Sequence, residues 1–403
     1  MIPFSPPRID NAIIEKVTEV LKSGWITTGP LTKSFEKDLA FYLKIDKVLC
    51  LNSWTNAAEL FLRWYGIKEG DEVLVPAYTY AASCNILFHL GAKPVLVDCE
   101  PDSFLLSLKD LETKITEKTK AIIPVDIGGI PCDYKGINEL VKSKKHLFTA
   151  TSTEQKKLNR ILIFSDAAHS LGAKINGTHS AKYADVTCYS FHAVKNLTTA
   201  EGGALAFNLP ENFNHDEIYK MLNILSLHGQ TKDALSKTTS GSWKYDIISA
   251  GYKCNMTDIQ AAIGSVELGR YEDDTLPKRK EICEKYSDGF EAEKWAITPK
   301  HTQEGITSSY HLYQLRIEGF DEVKRDLLMQ KLKENGVSSN VHFRPLPYFS
   351  FYQAKGFEIS DYPEAIKMYE NEISLPVFYN MTSAQVEKTI TEVKKAVALI
   401  KNA

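Results

Sequence analysis

The chain has 403 residues, 43% hydrophobic and 25% charged, an ordinary balance for a folded protein with room for two to three domains. Its 48 basic and 51 acidic side chains leave a formal charge of −3, which argues against a nucleic-acid or anionic-membrane partner. No apolar window of about 18 residues stands out. The opening Met1-Ile2-Pro3-Phe4-Ser5-Pro6-Pro7 has neither the basic nor the apolar region of a secretory signal, so a cytoplasmic location is expected. The cysteines, Cys50, Cys84, Cys99, Cys132, Cys188, Cys254 and Cys283, are odd in number and form no C-x-x-C pair. They read as small buried hydrophobes in a reducing compartment; no metal site or disulfide framework is expected.

In chain order, the first two-thirds alternates short apolar runs with helical patterns. The expected strands are Val48–Leu51, Glu72–Pro76, Pro94–Asp98, Ala121–Val125, Ile161–Ser165, Val186–Ser190 and Gly203–Phe207. Each is almost continuously apolar, as strands covered on both faces must be. Asn56–Tyr65, Ser83–Leu90 and Leu108–Ile115 read as helices between them. This predicts an α/β domain with a seven-stranded, mostly parallel sheet and ligands at the carboxyl ends of its strands. Lys142–Asn159 is polar, basic and rich in Ser and Thr, and reads as a surface insertion. From about residue 270 the pattern changes to a smaller α+β unit. Tyr310–Ile317 and Gly336–Phe343 look like strands, and Arg325–Asn335 like an amphipathic helix closed by Gly336. Thr382 and Gln385 form a capping box opening a last helix, with Val386, Ile390, Val393, Val397 and Ile400 at 3–4 spacing. The organisation expected is 1–265 for an N-terminal segment and large domain, and 266–403 for the small domain.

G-x-G-x-x-G, the P-loop, H-E-x-x-H and G-x-S-x-G are all missing. Three other pieces carry chemistry. Asp166 and His169 follow the Ile161 strand in Ser165-Asp166-Ala167-Ala168-His169-Ser170; the carboxylate is either a helix cap or a partner for a cationic ring nitrogen. Lys195 follows the Val186 strand in Ser190-Phe191-His192-Ala193-Val194-Lys195-Asn196; lysine is either solvated or the residue that condenses with carbonyl cofactors. Asn52-Ser53-Trp54-Thr55-Asn56 joins the first strand to the first helix, where hydroxyls and free amides either cap the helix or hold a phosphate.

Taken in this order, with Glu201-Gly202-Gly203 after the lysine, these pieces resemble the pyridoxal-phosphate (PLP) sugar aminotransferases of the DegT/DnrJ/StrS family. Gly24–Pro30, Val75–Tyr80, Gly251–Ala262, His342-Phe343-Arg344 and Ser374-Leu375-Pro376 extend the resemblance over nearly the whole chain. It implies a fold type I transferase. It also implies that Lys195 binds the cofactor and then shuttles a proton, that Asp166 pairs with the pyridine nitrogen, and that His169 contacts the phenolic oxygen. Ser53, Thr55 and Ser190, with the turn around Trp54, match the phosphate cup, and Tyr80 the ring-stacking aromatic. Trp54 stands where the family usually has glycine, and Lys253 where many relatives have an asparagine that reaches the partner subunit's phosphate. The implied assembly is a homodimer, with Lys253 in that role. Trp25, Thr27, Thr28, Tyr310, His311, His342 and Arg344 are the candidate substrate contacts. The implied substrates are a nucleotide-diphosphate keto-sugar and an amino donor, usually L-glutamate. The Cys254–Gln260 segment favours amination at C4 over C3. Two rivals stand beside this reading. One is a sugar dehydratase on the same scaffold, in which histidine replaces the lysine. The other is a noncatalytic regulator.

Overall fold

A computed structural model of the protein describes residues 1–232 and 244–402. Seven strands build its main sheet: β1 (Lys47–Leu51), β2 (Glu72–Pro76), β3 (Lys93–Val97), β4 (Thr119–Ile122), β5 (Leu162–Asp166), β6 (Val186–Ser190) and β7 (Gly203–Phe207). They lie in the order β1-β7-β6-β5-β4-β2-β3. β3, β2, β4, β5 and β6 are mutually parallel; β7 alone runs the other way, between β6 and β1. Each strand sits within three residues of its sequence-expected position.

The alternation of side chains across the pleat explains why these runs are apolar throughout. In β1, Leu49 and Leu51 join the core under helix Trp54–Tyr65, while Val48 and Cys50 join the one under helix Pro30–Leu43. In β2, Val73 and Val75 face the first of these layers, and Leu74 packs towards helices Leu108–Lys114 and Tyr134–Ser143. All seven cysteines are buried and free, as their apolar surroundings suggest. A second core lies between a small antiparallel sheet, β8 (Ala296–Ile297), β9 (Tyr313–Ile317) and β10 (Glu372–Leu375), and helices Leu276–Phe290, Glu322–Glu334 and Ser383–Lys401. Position 265, where the sequence reading ends its first unit, lies inside helix Asp258–Gly269, which packs on helices Asn11–Ser23 and Pro30–Leu43. Among the described residues no helix is long and apolar enough to cross a membrane.

Three expectations need correction. Gly336–Phe343 is not a strand, because it changes partner midway. Val337 bridges Ile2, whereas Asn340 bridges Ser374 of β10, so no ladder propagates. The strand expected from Tyr310 begins at Tyr313, because the amides of His311 and Leu312 turn aside to donate to Gly128 O, each at 3.2 Å. Lys142–Asn159 is not wholly a solvated excursion. Its Thr153–Leu158 helix docks through Ser152, which donates to Tyr65 O at 2.8 Å, and fully buried Gln155, which donates to Gly66 O at 3.2 Å. Elsewhere local signals hold. The Thr382 capping box is formed, and Asp321 caps its helix by accepting from Lys324 N, which moves the start to Glu322, ahead of the expected Arg325.

β7 carries one residue whose size is fixed by its surroundings. A Cβ on Gly203 would stand 2.5 Å from both Ser53 C and Trp54 N, so only glycine lets β7 pass beneath the β1–helix turn. Gly203→Ala is therefore expected to force that turn outward and lower stability by about 1–3 kcal/mol. Urea denaturation checks this; an unchanged midpoint would show that the turn gives way freely.

Candidate active site

Because β7 is reversed, its amino end arrives at the same sheet edge as the carboxyl ends of the other strands. A cavity of about 380 Å³ opens there. It is lined by Ser53, Trp54 and Thr55 after β1, Tyr80 after β2, Asp166 ending β5, Ser190 ending β6, Lys195, and Gly202 before β7. His169, His311, His342 and Phe343 line it as well.

Asp166 is 4% exposed. Ser83 Oγ donates to its Oδ2 at 2.7 Å, and the Ala168 amide donates to Oδ1 at 3.2 Å. Ser83's proton is thereby committed, so the Thr79 hydroxyl, 3.0 Å away, is the donor to Ser83. Burial raises the Asp166 carboxyl to about 6, against the pull of those two donors and of Lys195. At neutral pH it is still an anion. Lys195 shows the complementary effect: loss of water lowers its amine to about 8, opposed by the Asp166 charge. A buried carboxylate and an amine that is easily made neutral therefore share one cavity.

The imidazoles are positioned by the scaffold. The Gly128 amide donates to His169 Nδ1 at 3.2 Å, so the neutral ring carries its proton on Nε2. Burial, with the charge of Lys195, keeps His169 well below the usual histidine range and hence neutral. His311 Nδ1 lies 2.8 Å from Asn196 Oδ1, to which it donates, and its ring stands 4.3 Å from that of His169. Phe343 stacks on His169, with the ring centroids 5.7 Å apart.

Also in the lining, Ser53 caps helix Trp54–Tyr65 by accepting from Asn56 N at 3.1 Å. The amides of Trp54 and Thr55 belong to the first turn, where no carbonyl lies behind them, and with the helix dipole they favour an anion. Trp54 needs no left-handed backbone, since it is simply the first helical residue. Its ring is buried, with the indole Nε1 donating to Cys188 O at 3.1 Å. Glycine is thus dispensable at position 54, and the space is opened by Gly203 instead. Tyr80 is exposed, its ring 5.9 Å from that of Phe343.

Other expected contacts lie elsewhere in this chain. Tyr310 is buried in the second core against His301. Arg344 is exposed, its guanidinium over the rings of Tyr348 and Phe349. Trp25, Thr27 and Thr28 form a loop docked on the 255–258 segment: Asn255 Nδ2 donates to Thr28 Oγ1 at 2.6 Å, and Asp258 N to Thr27 O at 3.0 Å, while Trp25 Nε1 closes the loop on Thr28 O at 3.1 Å. Exposed Lys253 lies beside this loop and donates to Asn255 Oδ1. Sequence reasoning missed Ser83, Thr79, Gly128 and Asn196, which orient the functional groups, and Phe4, whose ring stacks on His342 at 5.4 Å. Of these, Thr79 and Asn196 stood inside motifs that had been singled out, Val75–Tyr80 and Ser190–Asn196.

A flat cationic heterocycle bearing a phosphate fits this set. Asp166, which has no ion-pair partner among the described residues, could take a ring N–H, Lys195 a carbonyl and the Ser53–Thr55 turn an anion, with Tyr80 an aromatic in the lining. The fold and these groups define a PLP-dependent transferase of fold type I, whose bound cofactor supplies an electron sink for a substrate carbanion. The family model for the DegT/DnrJ/EryC1/StrS aminotransferase family matches residues 7–394, and the chain belongs to that family of PLP-dependent sugar aminotransferases. It is 48% identical to a putative sugar aminotransferase, Spr1654 of Streptococcus pneumoniae, solved in its PMP form, with a TM-score of 0.96 over 99% of this chain and 100% of that one. It is 34% identical to the spore coat polysaccharide biosynthesis protein SpsC of Bacillus subtilis, covering 98% of this chain and 97% of that protein. The Helicobacter pylori PseC structure, an aminotransferase involved in the biosynthesis of pseudoaminic acid, is 25% identical with a TM-score of 0.85, over 99% of both chains.

Only the neutral amine is a nucleophile, and its fraction rises with pH up to the pKa. Competitive acetylation of the cofactor-free protein should therefore label Lys195 about tenfold faster per pH unit up to about pH 8 and then level off. Peptide mass spectrometry reads the profile, and a rise continuing to pH 10 would show an ordinary, solvated lysine.

Proposed function

We propose that the protein transfers an amino group from L-glutamate to C4 of a nucleotide-diphosphate 4-keto-6-deoxyhexose, as a two-fold homodimer. The observation that carries the catalytic part is that buried Asp166 and the amine of Lys195, lowered to about 8, line one cavity. Lys195 holds the cofactor through its amine and, once freed, takes the proton from the donor carbon and returns it during amination of the sugar. An amine near neutral pKa suits both halves of that task. Asp166 keeps the ring nitrogen cationic, and His169 Nε2–H serves an oxygen of the cofactor. His311 and His342 contact the substrate. The preference for C4 is supported by the Cys254–Gln260 segment, and a sugar substrate by the names of the relatives above. Lys195 also speaks against the dehydratase reading, which needs histidine there.

A panel of nucleotide 4-keto and 3-keto sugars, offered with L-glutamate and followed by the cofactor absorbance, tests the assignment. Turnover of a 4-keto-6-deoxy sugar at least tenfold above every 3-keto sugar is expected. The opposite order would move amination to C3.

The dimer reading rests on the Trp25–Thr28 loop and the Lys253–Asp258 segment. They are tied to each other, contribute nothing to the cavity of their own chain, and carry an exposed cation. Facing a partner's cavity, they would complete it, with Lys253 against the phosphate. Sedimentation should give a dimer, and Lys253→Ala should weaken cofactor affinity about tenfold or more. Full activity in a stable monomer would refute the assembly, and unchanged affinity would remove Lys253 from the site.

A further inference from the structure

Asp126 is a buried carboxylate to which the reaction described above gives no task. It stands beyond the end of β4, level with Asp166. Its amide donates to Asp166 O at 3.1 Å, and Val125 bridges Asp166. The side chain is fully buried. Its Oδ1 accepts from the Cys132 amide and from the Tyr134 hydroxyl, each at 2.9 Å, and its Oδ2 accepts from Ser170 Oγ at 2.6 Å. Tyr134 opens helix Tyr134–Ser143, whereas Ser170 follows His169 directly.

Asp126 and Ser170 close a ring around the His169 imidazole. Gly128 lies just after Asp126, and its amide is the donor to His169 Nδ1 at 3.2 Å. Two hydrogen bonds, Ser170 to Asp126 and Gly128 to His169, thus tie the turn after β4 to the turn after β5. The first turn has little room to shift. Gly128 and Gly129 both take left-handed backbone, with φ +66° and +93°, and a Cβ on Gly129 would stand 2.2 Å from Ser309 Oγ and 3.1 Å from His169 O. The carbonyls of Gly128 and Gly129 accept from the amides of His311, Leu312 and Ser309, which tie this turn to the segment before β9. The bond from Ser170 to Asp126 is its side-chain link to the turn that carries His169.

A carboxylate suits this position because it only accepts, and three donors converge on it. Burial raises the Asp126 carboxyl to about 6, against those donors and with the Asp166 charge adding to the rise, so at neutral pH it is the anion that the donors require.

We propose that Asp126 and Ser170 are positioning residues for His169: together they clamp the Gly128 amide onto Nδ1, so that the imidazole keeps its proton on Nε2. The service of His169 to the cofactor rests on the reading given above; the clamp itself does not. Without the clamp the Gly128 amide is free to leave, and Nδ1 can take the proton in its place.

The test uses the cofactor-free protein with 15N-labelled histidine, and His169→Gln only to assign the signal. In the wild type the His169 proton should lie on Nε2. Ser170→Ala removes the link and leaves Asp126 its Cys132 and Tyr134 donors. It should shift the ratio of the two tautomers about tenfold towards Nδ1–H and speed hydrogen exchange at the Gly128 amide about tenfold, the worth of one buried hydrogen bond. Asp126→Asn, which can accept at only one end, should do the same. Tyr134→Phe removes a different donor from the same carboxylate and should leave both signals unchanged, even where it lowers stability. In the holoenzyme, the pH midpoint of the cofactor absorbance should move in Ser170→Ala in the same direction as in His169→Ala. A wild-type proton on Nδ1, or unchanged tautomer and exchange in Ser170→Ala, would overturn the clamp. An equal change in Tyr134→Phe would overturn it too, by showing a general loosening. Should Asp126→Asn fail to fold, Ser170→Ala decides alone. A shifted tautomer with the cofactor midpoint unmoved in both Ser170→Ala and His169→Ala would uphold the clamp and overturn the role of His169 at the cofactor.

Discussion

The architecture of the site turns on one buried negative charge. Asp166 ends the central strand of the sheet at a place where water is excluded, and burying a carboxylate costs several kcal/mol unless it is matched. Two donors, the Ser83 hydroxyl and the Ala168 amide, hold it in place without neutralising it. The remaining demand is for a cation, and the cavity in front of the carboxylate is where a protonated ring can supply one. Lys195 meets the same low-polarity surroundings with the opposite response, since burial favours its neutral form. One environment thus keeps an acid charged enough to pair and a base neutral enough to attack.

The buried imidazoles of the lining add no charge beside those two groups. His169 and His311 are anchored through Nδ1, by the Gly128 amide and by Asn196, and are kept neutral by burial. They contribute directed donors and acceptors without adding net charge beside Asp166. Those anchors also hold the segment that leads into β9, since Asn196 also donates to Ser309 O at 2.7 Å, and the amides of His311 and Leu312 donate to Gly128 O. The imidazole pair therefore also fixes how the second core sits against the main sheet at the cavity.

Much of this was legible in the sequence, for identifiable reasons. Strands buried on both faces leave unbroken apolar runs, and all seven were read from them. Functional groups fixed to strand ends by short turns, Asp166, Ser190, Lys195 and Ser53, keep a constant spacing from those runs. Tyr310 illustrates the limit: an aromatic beside a strand gives no sign of which core it enters, and the turn at His311 sends it away from the cavity. Gly336–Phe343 has the composition of a strand, but pairing depends on partners at Ile2 and Ser374 that local sequence does not announce. Ser83 and Gly128 were not legible at all. A hydroxyl in the first turn of a helix and a glycine in a loop are common, and theirs become functional only because β2, β4 and β5 bring them together.

The reversed strand β7 also sets an order of events during synthesis. Among the described residues β7 is the one strand that forms a ladder with β1, which otherwise makes a single bridge from Leu51 to Asn255, and the residues of β7 leave the ribosome about 150 positions later. The parallel strands β2, β3, β4 and β5 can pair before that, as each emerges. Until β7 pairs with β1, the Ser53 turn lacks the strand that passes beneath it at Gly203. Loop closure over so long a separation is entropically slow. The strands around Asp166 can therefore pair before the long-range ladder that supports the Ser53 turn is closed.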